Sequence, residues 1–320
     1  MAFEKKETLT NGLNITELIH TESGTRVHIL PAAGALLHGW IVQHNGQPVN
    51  LIDHYADQDD LAANLTNSYK SANLSPFACR IPDGKYTYQG HRYEFAHKFS
   101  DGNAIHGLLA DKPFEAGEVQ QRADRIAAAF HYAYRKDDSG YPFQYDCTVV
   151  YTLHADRRLT LETSVKNVSD TTIPIVDGWH PYFTTGTKVD DCQLQFFSKE
   201  VIEFDDRLIP TGERTPYRVY EQARLLGETE LDHSFILDEA APQPKCTFSD
   251  PARGISLQFY PSEHYPVLQI YTPPHRNSIA IENLSGAPDA FNNGIGLILL
   301  EPGNTQVFSV TYGVVLAEEA

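Results

Sequence analysis

The chain reads as an all-β protein, a large antiparallel β-sandwich, and three observations carry that reading. Apolar residues alternate with others along Ile126/Ala128/Phe130/Tyr132, Tyr145/Cys147/Val149/Tyr151/Leu153 and Leu159/Leu161/Thr163/Val165, the period of two that turns one face of a strand inward. Gly, Pro, Asn and Asp interrupt such runs at short intervals, as turns do between strands. Tyr, Phe, Val and Thr recur, Met occurs once, and few windows carry helical periodicity. Roughly twenty short strands without a Pro/Gly/Ser-rich break imply one domain over residues 1–320.

Taken in order, residues 13–20 and 24–31 form two strands about the turn Glu22-Ser23-Gly24. The small residues of Ala32–Leu37 allow close backbone approach. Trp40-Ile41-Val42 runs into Asn45-Gly46, a two-residue hairpin signal, with Val49–Ile52 returning. The polar stretch 55–70 is a helix or a loop. Tyr86/Tyr88 and Arg92/Glu94, with turns at Asp83-Gly84 and Gln89-Gly90, predict a hairpin. Gly102 and Gly107 bracket a loop that places His106 near its tip, where histidines are commonly solvated. The three alternating runs then make a meander. Residues 190–245 are more weakly patterned, and further strands follow around Ile255–Phe259, Val267–Tyr271, Ile279–Leu284, Leu297–Leu300 and Val307–Tyr312.

Within this frame a few residues stand out chemically. The segment Gly178-Trp179-His180-Pro181-Tyr182-Phe183-Thr184-Thr185-Gly186 crowds a histidine with aromatic rings. Such surroundings exclude water and tune an imidazole for acid or base work, or simply enclose a core histidine. Glu282 sits among Ile279, Ala280, Ile281 and Leu284, where a buried carboxylate must be paired, protonated or functional. Glu301, just before Pro302-Gly303, reaches solvent more easily. Arg80, flanked by Phe77 and Ile81, is either a surface ion-pair partner or a planar donor fork aimed into a cleft. Asp232-His233 is a metal pair, a charge relay or a capped loop.

A net charge of −17 and a pI of about 5.2 argue against nucleic acid and against anionic membranes as partners. Cys79, Cys147, Cys192 and Cys246 form no C-x-x-C pair, so neither a zinc motif nor a dense disulfide framework is expected, and buried reduced thiols suit a cytoplasmic protein. Cys79 beside Arg80 reads as structural. The first residues lack the apolar core of a signal peptide, and no window approaches the roughly 18 apolar residues of a membrane span.

Taken together, Asn103-Ala104-Ile105-His106-Gly107, His180-Pro181-Tyr182-Phe183, Asp232-His233-Ser234-Phe235, Gln269-Ile270-Tyr271-Thr272, Ile281-Glu282-Asn283-Leu284 with Pro288-Asp289-Ala290, and Leu300-Glu301-Pro302-Gly303 resemble, in order, the motifs of the aldose 1-epimerase (galactose mutarotase-like) family. The resemblance implies that family's supersandwich fold and interconversion of the α and β anomers of a small-molecule aldose, without cofactor or metal. It implies Glu282 as general base, because the family's glutamate precedes Pro-Asp-Ala, and His180 as general acid. It further implies His106 as their partner, and Arg80, Asp232 and Gln269 as binders of sugar hydroxyls. A monomer or homodimer is expected.

The chain departs from the family pattern at Leu108, where a second glycine is usual, at Asn283-Leu284 after the glutamate, and at Pro181. The sugar is therefore left open. A phosphorylated hexose would need further cations, for which Lys112, Arg92 and Arg276 are available. Competing readings are a sugar-binding or regulatory protein on the same fold, a metal-dependent hydrolase, for which no His-Glu-x-x-His occurs, and a glycosidase using Asp232 and Glu282.

Overall fold

The computed structural model describes residues 2–317, and the expected all-β architecture is what these residues form. A five-stranded antiparallel sheet opens the chain, from Phe3–Thr10 to Gln47–Asn50. Its first strand precedes any sequence signal, because only Phe3 of its eight residues is buried and the run Glu4–Glu7 is all charged. Asn45 and Gly46 both take positive φ (50° and 71°), the pair of left-handed residues that a twisted two-residue hairpin demands. The polar 55–70 stretch contains a helix, Gln58–Ser68, whose Asp57 side chain caps the Asp60 N–H at 2.8 Å.

The meander predicted between 125 and 168 is the heart of a nine-stranded sheet. Arg125–Arg135, Gln144–His154 and Leu159–Asn167 pair consecutively and are continued by Thr305–Leu316 and Ile255–Pro261. A six-stranded sheet packs with it. Its order runs Tyr182–Phe183, Ile279–Leu284, Val267–Tyr271, Asp232–Leu237, Ser198–Phe204, Pro210–Pro216. One apolar cluster joins these three large sheets and includes Trp40, Trp179, Phe183, Phe259 and Tyr312. Phe183 meets Phe259 edge-on at 4.8 Å and Tyr312 at 5.2 Å between ring centroids, a geometry that suits aromatic quadrupoles. The weakly patterned 190–245 region is strands as well, whose outer edge at Pro210–Pro216 is largely exposed. That exposure explains its faint alternation.

Candidate active site

The register of the six-stranded sheet builds the floor of a cleft. Glu282 pairs with Gln269, and Gln269 with Ser234. One row along, Tyr182 pairs with Ala280, Ala280 with Tyr271, and Tyr271 with Asp232. Because alternate residues share a face, Tyr182, Tyr271, Asp232, Gln269 and Glu282 all point the same way, and all five line one cleft of about 230 Å³. The Gln269 amide donates to Asp232 Oδ1 at 2.8 Å, and Ser234 Oγ donates to Gln269 Oε1. Asp232 and His233 therefore open a strand, Asp232–Leu237, rather than a capped loop, and as neighbours on a strand their side chains point to opposite faces.

His180 enters from the side. Its N–H donates to Ala72 O at 3.0 Å, and its carbonyl accepts from the Ser71 N–H at 2.8 Å. Two residues earlier, Gly178 bridges Leu284. A Cβ on Gly178 would stand 2.4 Å from Leu284 Cδ2 and 3.2 Å from Asn283 O, so a larger residue here would push the Leu284 side chain aside. The result is a His180 Nε2 to Glu282 Oε1 separation of 3.3 Å. The His180 ring stacks on Tyr182 with centroids 4.9 Å apart.

His106 is not the solvated loop-tip residue its sequence context suggests. It follows the two-residue strand Ala104–Ile105, which pairs with Arg80–Ile81. Its N–H donates to Cys79 O at 3.1 Å. Its ring is buried, edge-on to His180 at 4.8 Å and tilted on Tyr69 at 4.9 Å. The next residue, Gly107, has φ +76°, and a Cβ there would lie 2.3 Å from Ser75 O. His106 and Cys79 themselves take φ of 57° and 55°, conformations that cost non-glycine residues about 1–3 kcal/mol and gather at functional sites. Arg80 lies on the rim with its Nε 3.0 Å from Asp101 Oδ2. It is the one Lys or Arg lining the cleft among the described residues. Lys112, Arg92 and Arg276 lie elsewhere, and Arg276 pairs with Asp190.

Burial dominates the electrostatics. It pushes Glu282 well above the usual carboxylate range, with the nearby Asp232 charge adding to the effect. It pushes His180 down to about 4 and His106 well below its ordinary value. Asp232 is raised by burial against the opposing pull of Arg80. Glu282 Oε2, His180 Nδ1 and His106 Nδ1 are buried without a protein partner, although protein interiors normally satisfy such atoms.

The site thus gathers Glu282, His180, His106, Arg80, Asp232 and Gln269 around one cleft. Sequence reasoning assigned no role to Tyr69, Tyr182, Tyr271, Phe204 or Leu208, which also line it. Tyr182 and Tyr271 lay inside motifs already singled out. Tyr69 is the left-handed cap of the helix Gln58–Ser68 and had no local signal. Glu301, the other glutamate in an apolar run, is exposed.

A protein-family model for aldose 1-epimerase matches residues 17–313. The chain belongs to the aldose 1-epimerase family. Among curated relatives, the uncharacterized protein YihR of Escherichia coli K12 is 32% identical over 75% of this chain and 78% of its own length. The maltose epimerase of Levilactobacillus brevis is 24% identical over 76% and 75%. A galactose mutarotase-like protein from Clostridium acetobutylicum superposes with a TM-score of 0.86 at 17% identity, covering 99% of both chains. The fold of this family member is accordingly the galactose mutarotase-like sandwich.

Proposed function

We propose that the protein is a mutarotase that interconverts the anomers of a free aldose by opening and reclosing the ring, within one domain spanning residues 1–320. The observation that carries this reading is the buried Glu282–His180 pair, 3.3 Å apart at the floor of a polar cleft. Opening a cyclic hemiacetal needs a base for the anomeric hydroxyl proton and an acid for the ring oxygen. Burial favours the neutral form of both side chains, so the pair carries one proton, held on Glu282 in the free cleft. With that proton across on His180 Nε2, Glu282 takes the anomeric proton while His180 protonates the ring oxygen. After rotation about C1–C2 the roles reverse and the opposite anomer closes. The proton inventory balances without a redox cofactor or a metal.

His106, edge-on to His180, fits a hydrogen bond to the reacting end of the sugar. Arg80, Asp232 and Gln269 offer donors and an acceptor for ring hydroxyls. With no Lys or Arg besides Arg80 lining the cleft among the described residues, a neutral hexose suits it better than a hexose 6-phosphate.

The test is polarimetric, following freshly dissolved α-D-glucose, α-D-galactose and a hexose 6-phosphate with wild type and with Glu282→Gln. Acceleration by wild type that is lost in the folded variant is the expected result. Full activity in the variant overturns the assignment of the base. No acceleration of any sugar favours a binding protein on the same fold.

A further inference from the structure

The mechanism leaves the thiol of the cleft without a task. Cys79 lines the cleft but neither binds nor reacts in the ring opening. The pairing of Arg80 with Ile105 sets Cys79 directly opposite His106, and the His106 N–H closes that register onto Cys79 O. One ligand atom each from Cys79, His106 and Glu282 lies within 4.8 Å of the others. It is the one three-residue group of His, Cys, Asp and Glu so arranged among the described residues.

Two of the three side chains are also short of partners. Glu282 is 1% exposed with Oε2 unpaired, and His106 is 8% exposed with Nδ1 unpaired. A thiolate, an imidazole and a carboxylate are the donor set of zinc and of soft divalent ions like it. Ligand atoms about 2.0–2.3 Å from a tetrahedral ion stand roughly 3.3–3.7 Å from one another, so about 1 Å of side-chain rotation completes three sides of the shell. The fourth faces the open cleft. Asp232 adds negative charge nearby, and Arg80 at the rim is the opposing cation.

We propose that this cleft is also an inhibitory site for a zinc or cadmium ion, held by Cys79, His106 and Glu282, whose binding excludes the aldose. The exclusion follows because the ion takes Glu282, the base on which the mutarotase reading rests. Its binding alone does not depend on that reading.

The experiment titrates cadmium into the full-length protein and reads the ultraviolet charge-transfer absorption of a cadmium thiolate, with zinc followed by calorimetry. One equivalent is expected to bind, with the absorption lost in Cys79→Ala and Cys79→Ser and kept in Cys192→Ala. His106→Gln is expected to weaken zinc by at least the roughly 10–100-fold that loss of a mere outer-shell partner costs. Absorption that is absent, or that survives removal of Cys79, overturns the site. Zinc affinity unchanged in His106→Gln overturns the ligand set. In polarimetry, zinc is expected to raise the apparent KM for the sugar and a chelator to restore it, and zinc that binds without affecting turnover overturns the exclusion. Cadmium bound as described by a protein that accelerates no sugar supports the ion site while sinking the mutarotase reading. Acceleration without cadmium binding does the reverse.

Discussion

Two carboxylates lie buried on either side of the same junction, and the protein treats them oppositely. Asp177 is fully buried, and both of its oxygens are engaged. Tyr265 OH donates to Oδ2 at 2.6 Å, and Asn73 Nδ2 donates to Oδ1 at 3.1 Å. Its backbone exchanges two further hydrogen bonds with Ser285, at 2.9 and 2.8 Å, three residues beyond Glu282. Glu282 is equally buried but keeps Oε2 unpaired and faces a cleft. A satisfied buried carboxyl holds chain segments together, whereas an unsatisfied one that faces a cleft is placed to meet a ligand. Asp177 is the clamp between the His180 segment and the Glu282 strand, and under the proposed mechanism Glu282 is the base that the clamp positions.

Substitution should separate the two roles. Glu282→Gln is expected to lower the mutarotation rate constant by on the order of 10²–10⁴-fold while leaving urea unfolding unchanged or slightly favourable, since no partner is lost. Asp177→Ala should do the reverse. Stranding the Tyr265 hydroxyl, and leaving the Asn73 amide only its bond to Gly178 O, costs about 1–3 kcal/mol, read as a lower denaturation midpoint, with turnover per folded molecule much less affected. If both variants lose stability equally, the contrast fails.

Acidity sharpens the same comparison. Burial raises Asp177 to about 7 from an ordinary 3.8. Between those values the unfolded chain binds fewer protons than the folded one, so this residue's contribution to stability falls as pH rises, by at most ~1.4 kcal/mol per pH unit. Asp177→Asn should flatten that slope in urea melts taken from pH 4.5 to 7.5. The Glu282–His180 pair should show itself in the rate instead. A second proton on His180 removes the base, which places the acid limb of kcat/KM near 4. Loss of the pair's single proton removes the acid, which places the alkaline limb above the ordinary carboxylate range.

The smallest effect belongs to the rim. Arg207 Nη2 donates to Asp83 Oδ1 and Asn103 Oδ1, each at 2.9 Å, and so ties the loop before Ile209, with Phe204 and Leu208, across the cleft. An exposed pair of this kind contributes about 0.2–1 kcal/mol. Arg207→Ala should therefore change the sugar's KM by no more than about fivefold and leave kcat and the unfolding midpoint in place.

Much of this architecture was legible in order along the chain. Period-two alternation found the meander, Asn45-Gly46 found its hairpin, and an acidic residue in an apolar strand pointed to Glu282. What stayed hidden depends on partners distant in sequence. The first strand carries charge on its outer face and has no alternation to read. His106 looked like a solvated loop residue until Tyr69 and His180 closed over it, and the 190–245 strands look irregular because their sheet edge is exposed. Which side chains are capable of acid and base chemistry, and which strand residues face inward, follow from residue type and local period alone. Folding is what brings Glu282 within 3.3 Å of His180, sets Cys79 opposite His106, and satisfies Asp177 while leaving Glu282 Oε2 unpaired. Those facts are set by strand register and by the close approach at Gly178, which bring together residues a hundred positions apart and fix how much water each one loses.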